Sequence, residues 1–588
     1  MISDLCLSRR RFLGSAGAFG LLGVLRGLIP SPLWASTATW GIKDIPSERL
    51  FELLISPVPL EIDGKQGQAM MINGTLPGPL LRFQEGEEVK LRVTNGLEDE
   101  HPASIHWHGI LLPAGMDGVP KVSFPGIPKG ETFTYRYRLK QSGTYWYHSH
   151  TRFQQQTGMY GPLIVDPIEP DPYGYDREYV VMLSDWTFED PDRIFSKLKM
   201  ESHYYNYQRR TVVDFFKDSS QTGFRKTLEE RLAWARMRMD PTDITDITGA
   251  TYTYLINGHS PKMNWTGLFN PYERIRLRFI NGSAMTNFDV RIPGLDMTIV
   301  QADGVNVEPV EVHEFRIAVA ETYDAIIEPK EAKPYTIFAE SFDRSGYARA
   351  TLSPRPGEDG PIPKRRPRPV HRLEDVGMDG MTKGSGRGEH AGSKGGHDMQ
   401  GMPPEKNMPK GNNVNVDMRA MHVKSRLHEP GLGLGEDGWR VLAYTDLKSL
   451  KPNEDQRPPD RELVINLTSN MERFMFSFNG KKFSEHDRPT PLFINERLRL
   501  VLVNHTMMEH PIHLHGQFME LENGTENHRP YKHTINVKPA EKLSLLLSPT
   551  SKVIGNWAFH CHLLFHMEAG MFLVMQVMEK GEPEGGKP

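Results

Sequence analysis

Cysteine is nearly absent from this chain of 588 residues, which contains only Cys6 and Cys561. Cys6 lies in an N-terminal stretch with the features of an export signal, so the mature protein would keep a single thiol. A disulfide framework needs paired cysteines, and we therefore expect none. Cys561 is then available for chemistry rather than for cross-linking.

The chain also lacks an excess of positive charge and, after its first 38 residues, any long hydrophobic run. Its 70 Lys and Arg residues face 74 Asp and Glu residues, for a formal net charge of −4. Nucleic-acid binding favours a basic protein, so we predict no nucleic-acid partner. A helix that crosses a bilayer needs about 20 apolar residues, so we also predict no membrane span in the mature protein.

The N-terminus is predicted to be a twin-arginine signal peptide covering residues 1–38. It contains Ser8-Arg9-Arg10-Arg11-Phe12-Leu13, and a small, apolar run follows from Gly14 to Ile29. This run is short and glycine-rich for a membrane anchor. Because the twin-arginine route carries folded proteins, we expect a periplasmic protein whose site forms before export.

One C-terminal segment carries most of the chemistry. Cys561 stands between His560 and His562, with His566 five residues and Met571 ten residues further on. A soft thiolate, an imidazole and a thioether are donors of a blue-copper site, and a second imidazole would complete the set. On a strand, His560 and His562 would face one way and Cys561 the other, which would join two metal centres by adjacent covalent bonds. A buried cysteine with unrelated histidine neighbours would be the better interpretation only if this motif stood alone.

Three further His-x-His pairs accompany this motif: His106 and His108, His148 and His150, and His513 and His515. On strands each pair presents both imidazoles on one face, so four pairs supply eight imidazoles to one cavity. Eight imidazoles suit more than one copper ion. His510 would face away from His513 and supplies the missing imidazole of the blue site. That site is therefore predicted to consist of His510, Cys561, His566 and Met571.

The first and last parts of the chain are predicted to be duplicates. Residues 45–168 and 436–580 both contain short β-rich runs between Gly and Pro, which predict antiparallel β-sandwiches. Residues 143–159 align without a gap on residues 555–571, and Ser149 and Gln154 then stand where the later copy has Cys561 and His566. Only the last copy can therefore build the blue site. Each copy contributes four of the eight histidines, so their cluster should lie between the two domains.

The middle domain, residues 175–355, is predicted to contain no copper ligand. Residues 175–355 have similar strand material and form a third sandwich, which we interpret as a spacer, with a helical insertion near 193–240 that ends at Asp240-Pro241. Residues 356–435 are rich in Gly, Pro, Lys and Met, which predicts a flexible linker. Its methionines and histidines suit either a loop that collects Cu(I) or a plain interdomain linker.

With these motifs the sequence resembles the multicopper oxidases. The resemblance implies an all-β fold of three cupredoxin-like Greek-key β-sandwich domains and four copper ions: one blue type 1, one type 2 and a coupled type 3 pair. It also implies that dioxygen is reduced to water. His106 and His513 match the type 2 ligands, and Cys561 and its three partners match the type 1 ligands. The type 3 positions are His108, His148, His150, His515, His560 and His562. Asp117 matches a proton-relay carboxylate, although a turn residue before Gly118 explains it equally well.

Within that class the closer resemblance is to the bacterial copper-resistance protein A family. It is carried by the N-terminal signal, by the runs Tyr254–His259 and Phe279–Met285, and by the methionine-bearing linker. The resemblance implies a periplasmic enzyme that oxidises Cu(I) to Cu(II), with dioxygen as acceptor and a periplasmic copper carrier as a possible partner. The family's regular methionine repeats are sparse here, which argues against bulk copper storage. A laccase-like phenol oxidase that takes a small reducing substrate, and a copper-binding buffer protein, are the alternatives.

Overall fold

The computed structural model describes residues 35–36, 49–382 and 413–581. The predicted signal peptide therefore lies outside the described residues, apart from the two-residue strand β1 (Ala35–Ser36). Cys561 is the one cysteine within the described part, and its thiol is free. None of the described helices is both long and apolar enough to cross a membrane.

The first sandwich packs two four-stranded sheets. Its strands are β2 (Arg49–Ile62), β3 (Lys65–Ile72), β4 (Leu81–Gln84), β5 (Glu88–Asn95), β6 (His106–His108), β7 (Thr132–Arg138), β8 (Gly143–His148) and β9 (Tyr160–Asp166). Side chains alternate between the core and the surface: in β5, Val89, Leu91 and Val93 are buried while the residues between them face outward. The sheet orders are β3-β2-β5-β7 and β4-β9-β8-β6. The second sheet holds His106, His108 and His148, and His150 follows the end of β8 by two residues.

The second sandwich is larger and contains the predicted helical insertion. Its strands are β10 (Arg177–Thr187), β11 (Tyr252–Ile256), β12 (Trp265–Leu268), β13 (Ile275–Asn281), β14 (Phe288–Arg291), β15 (Met297–Ala302), β16 (Val305–Val312), β17 (Glu314–Ile317), β18 (Thr322–Ile327), β19 (Tyr335–Ser341) and β20 (Tyr347–Ser353). One sheet runs β1-β10-β13-β18-β15-β16, with β11 also on β10, and the other runs β12-β20-β19-β14-β17.

The insertion consists of three helices, α1 (Pro191–Met200), α2 (Val212–Thr222) and α3 (Phe224–Met237). Local signals set their ends. The Asp190 side chain caps α1, and Thr211 and Asp214 form a capping box on α2. The left-handed Arg238 ends α3 shortly before Pro241. The predicted helical insertion is therefore confirmed.

The third sandwich repeats the first and holds the last two histidine pairs. Its strands are β21 (Arg461–Asn470), β22 (Met475–Phe478), β23 (Thr490–Phe493), β24 (Leu498–Asn504), β25 (His510–Leu514), β26 (Met519–Leu521), β27 (Tyr531–Lys532), β28 (Thr534–Val537), β29 (Lys542–Leu547), β30 (Gly555–Cys561) and β31 (Phe572–Met578). The sheets run β22-β21-β24-β29-β26-β27 and β23-β31-β30-β25-β28, so that all three sandwiches of the predicted all-β fold are present. A one-turn helix, α4 (Leu564–Glu568), follows β30.

The described parts of the predicted linker are packed, so the expectation of a flexible segment is wrong there. Met378 and Met418 are buried in the core, and the buried Arg426 donates to the carbonyl of Pro539 at 2.7 Å. Contacts with both the second and the third sandwich, rather than regular secondary structure, hold these residues in place. Met421 and His422 are exposed. His390, His397, Met399, Met402 and Met408 lie outside the described residues.

A buried ion cluster joins the first sandwich to the second. Glu178 on β10 pairs with Arg82 of the first sandwich and with Arg278 on β13 at 2.9 Å. Burial alone would raise the pKa of Glu178, but the two guanidinium groups outweigh it and hold that pKa below its usual value of 4.5.

This lowered pKa makes a prediction about acid stability. The carboxylate stabilises the folded state above its unfolded pKa, and this contribution is lost as the pH falls towards the folded value. We expect Glu178→Gln to cost about 3 kcal/mol in the free energy of unfolding at neutral pH. We also expect it to flatten the loss of stability below about pH 4.5, measured by denaturant unfolding at several pH values. Glu52→Gln, which breaks an exposed pair with Arg92, is the control and should cost less than about 1 kcal/mol.

Candidate metal centre

His510, Cys561 and His566 come together in the third sandwich as predicted from their spacing. The Cys561 sulfur lies 3.5 Å from Nδ1 of His510 and 3.8 Å from Nδ1 of His566, and these two nitrogens are 3.2 Å apart. Antiparallel pairing of β25 and β30 places Ile512 opposite Cys561, and His510 lies two residues away on the same face. All three side chains are buried.

Outer contacts fix the orientation of both imidazoles. Nε2 of His566 lies 2.7 Å from a carboxylate oxygen of Asp246, and Nε2 of His510 lies 2.7 Å from the hydroxyl of Thr506. Each Nδ1 lone pair can then point at the Cys561 sulfur. Burial lowers the pKa of His566 to about 3 and raises that of the Cys561 thiol. The imidazoles are therefore neutral donors, and a thiolate there requires a cation beside it.

Backbone hydrogen bonds hold Met571 next to His566 and Cys561. Its N–H donates to the carbonyl of His566 at 3.0 Å, and its carbonyl accepts the N–H of Cys561 at 3.1 Å. The side chain is fully buried. The Phe476 ring stacks on the imidazole of His566, with 3.6 Å between the ring centroids, and covers one of its faces.

The eight histidines of the four pairs form one buried cluster between the first and third sandwiches. Each sandwich supplies four of them, as the duplication predicts. Within each of three groups, two of which share His108, the candidate ligand atoms lie within 4.8 Å of one another. The groups are His106, His108 and His513; His108, His148 and His562; and His150, His515 and His560.

Hydrogen bonds fix the tautomers of this cluster so that unprotonated nitrogens converge. Four rings donate from Nδ1 to backbone carbonyls at 2.7–2.9 Å: His106 to Asp117, His148 to Ser149, His513 to His533 and His560 to Cys561. The inward Nε2 atoms of His106, His148 and His513 have no hydrogen-bond partner among the described residues, nor has Nδ1 of His108. Orphaned buried nitrogens are costly unless they bind a cation, so the donor set fits copper.

Asp117 contacts two of these histidines and is buried. One carboxylate oxygen accepts from Nδ1 of His515 at 2.9 Å, and the other lies 3.2 Å from Nδ1 of His106. Gly118 follows at φ 83°, and a Cβ there would overlap the Ile105 carbonyl. Asp117 therefore lies in a tight turn and also contacts the histidine cluster.

The first sandwich has no cysteine and histidine at the position that corresponds to Cys561 and His566. There the hydroxyl of Ser149 donates to Oε1 of Gln154 at 2.8 Å. Asp246, Thr506 and His533, by contrast, touch the candidate ligands and were not singled out from the sequence. None of them belongs to a His-x-His motif, and Asp246 lies in the second sandwich, 320 residues before His566 in the sequence.

Comparison with known proteins identifies the class. Family models of multicopper oxidases match residues 55–170, 177–355 and 456–581. The crystal structure of Fet3p, described as a multicopper oxidase that functions in iron import, superimposes with a TM-score of 0.63. It is 18% identical, with 90% of each chain covered, and so shows the fold. The chain is a multicopper oxidase, an oxidoreductase that uses copper.

Two full-length relatives narrow the family. The copper resistance protein A homolog of Pseudomonas syringae pathovar tomato is 49% identical, over 97% of this chain and 99% of the relative. Copper resistance protein A of Escherichia coli is 47% identical, over 94% and 98% respectively. Within the multicopper oxidases, the chain therefore belongs to the copper resistance protein A family.

Proposed function

We propose that this protein is a periplasmic, twin-arginine-exported oxidase of copper resistance that oxidises Cu(I) to Cu(II) and reduces dioxygen to water. The balanced reaction consumes four Cu(I), one dioxygen and four protons, and gives four Cu(II) and two waters. The names of the full-length relatives and the N-terminal arginine motif support the role and the location. A periplasmic copper carrier would be the delivering partner.

The proposed resident ions occupy the two buried clusters. His510, Cys561, His566 and Met571 would hold the type 1 copper, and His106 and His513 the type 2 copper. Two triads would hold the type 3 pair: His108, His148 and His562, and His150, His515 and His560. When bound, these ions supply the reversible one-electron redox chemistry that protein side chains lack. Cys561 is bonded through the chain to His560 and His562, so one strand touches both clusters.

The observation that carries the choice of Cu(I) is the space beside His566. A cavity of only about 10 Å³ lies there, lined by Asp246, Met285, Met508 and Glu509 among others. Sites for drug-sized molecules have volumes of roughly 300 Å³ or more, so this space does not suit a phenol. Thioether sulfurs suit a small, soft cation such as Cu(I), and a carboxylate beside them can balance its charge. Asp246 also touches His566, which joins this lining to the proposed type 1 site.

The protein's own groups would then serve three tasks. Asp246 holds the proton on Nε2 of His566 and keeps Nδ1 directed at Cys561. The buried aromatic and aliphatic shell excludes water from both clusters, which strengthens each electrostatic contact there. Asp117, between His106 and His515, is placed to hold and pass protons needed for water formation.

Replacing Asp246 should lower turnover with Cu(I) more than turnover with a phenol. We expect Asp246→Asn to lower turnover with a stabilised Cu(I) complex by about 10-fold or more, because Asp246 lines the proposed Cu(I) space and an amide cannot ionise to balance the charge of the cation. Turnover with a methoxyphenol should fall less, only by the part that comes from the altered contact with His566. Asp243→Asn is the matched control, because Asp243 is a buried carboxylate in the same loop. Equal losses with both donors would contradict a Cu(I) site at Asp246.

Oxygen uptake by the copper-loaded mature protein tests the function itself. Fast uptake with the Cu(I) complex and slow uptake with the methoxyphenol is the expected result. The reverse preference would indicate a laccase-like enzyme. Four bound copper ions without uptake from either donor would leave copper buffering as the better account.

A further inference from the structure

The tip of one hairpin in the second sandwich reaches the histidine cluster. Asp303 and Gly304 form the two-residue turn between β15 and β16, both with positive φ, of 46° and 76°. A Cβ on Gly304 would overlap the ring of Tyr145, on the β8 strand that leads to His148. The turn therefore packs directly against the first sandwich.

The same turn holds a segment of the third sandwich through a fully buried carboxylate. One Asp303 oxygen accepts the backbone N–H groups of both His533 and Thr534, each at 3.1 Å. The other accepts the N–H of Thr322 at 3.1 Å and lies 3.1 Å from the ammonium of Lys532. Four donors thus satisfy one carboxylate, and Lys532 is neutralised further by Glu321 at 2.9 Å.

His533 and Thr534 in turn touch two histidines of the cluster. Nε2 of His108 lies 3.2 Å from Nδ1 of His533 and 3.2 Å from the hydroxyl of Thr534. Nδ1 of His513 donates to the carbonyl of His533 at 2.7 Å. The His533 ring also lies against Gly109, where a Cβ would come within 2.6 Å of it. His108 and His513 come from different sandwiches, and this short segment sets the orientation of both rings.

We propose that Asp303 is a positioning residue for the copper cluster: by holding His533 and Thr534, it sets the orientation of His108 and His513. The second sandwich is then more than the spacer predicted from its lack of ligands, because its hairpin tip braces the ligands that the other two sandwiches supply. This inference rests on the proposed ligand role of His108 and His513, and it does not depend on the electron donor.

The test is Asp303→Asn in the full-length mature protein, reconstituted with copper. Donors face both oxygens of Asp303, but an asparagine side chain has only one oxygen. Its NH2 group would therefore face either the Lys532 ammonium or the backbone N–H groups of His533 and Thr534, and that contact would be repulsive. We expect the affinity for copper at the histidine cluster to fall about 10- to 100-fold and its electron paramagnetic resonance signal to change. The blue absorption should be retained.

Glu520→Gln is the matched control, since it alters a buried carboxylate of the third sandwich that pairs with Arg497 and Arg529. It should leave the cluster signal unchanged. If Asp303→Asn does not fold, Thr534→Val tests the same path by removing only the hydroxyl beside His108, and it should shift the signal. An unchanged signal and affinity in the folded variants would overturn the inference. A wild-type protein without cluster copper would overturn the ligand assignment as well, whereas a preference for phenols would affect only the proposed function.

Discussion

Cys561→Ser should produce a colourless protein that no longer oxidises either donor. The intense blue absorption of such sites comes from a thiolate bound to copper, and a serine hydroxyl is a harder and far more weakly acidic ligand. We expect oxygen uptake to fall by at least about 1,000-fold, roughly 4 kcal/mol in the activation free energy. The measurement pairs the visible spectrum with oxygen uptake and bound copper per chain.

The internal duplication provides the matched control for this variant. Ser149→Cys places a thiol at the corresponding position of the first sandwich, where Gln154 replaces the histidine. This variant should gain no second blue absorption, because a thiol without two imidazoles is not a blue-copper site. A Cys561→Ser protein that stays blue would contradict the assignment of the mononuclear site.

The candidate ligands could be predicted from the sequence because strand geometry is local. A His-x-His pair on a strand places both rings on one face, and the residue between them on the other, wherever the strand lies. His510 could be assigned for the same reason, since its three-residue offset from His513 reverses its face. The duplication then placed four histidines on each side of one cavity without any knowledge of how the sandwiches pack.

The residues around the ligands could not be predicted in the same way. Asp246 reaches His566 across 320 positions of sequence, and Asp303 reaches His533 across 230. Such contacts depend on how whole sandwiches dock, and no periodicity records them. The packed parts of residues 356–435 escaped prediction for a related reason. Composition suggested little burial there, but Met378 and Met418 pack against sheets supplied by other parts of the chain.

Asp117→Asn should slow oxygen reduction while leaving both copper clusters assembled. An asparagine oxygen can still accept from Nδ1 of His515, and Nδ1 of His106 keeps its bond to the backbone carbonyl of residue 117, so we expect the geometry to survive. The amide cannot take up and release a proton at neutral pH. Loss of a general acid–base group costs about 10²- to 10⁴-fold in rate. During turnover in air, electrons would enter faster than dioxygen removes them. The blue colour should therefore stay bleached while donor remains, which rapid-mixing spectroscopy can follow.

Asp99→Asn is the control, because that carboxylate pairs with His101 at the protein surface. It should leave the rate of colour return unchanged. The Asp117→Asn variant also distinguishes the two explanations of Asp117, a proton relay and a turn residue. If Asp117 only shapes the turn before Gly118, the Asp117→Asn protein should regain its blue colour at the wild-type rate, because asparagine suits such turns equally well. A slow return of colour with unchanged copper content would instead assign Asp117 to proton transfer, since electron entry at Cys561 is untouched by the substitution.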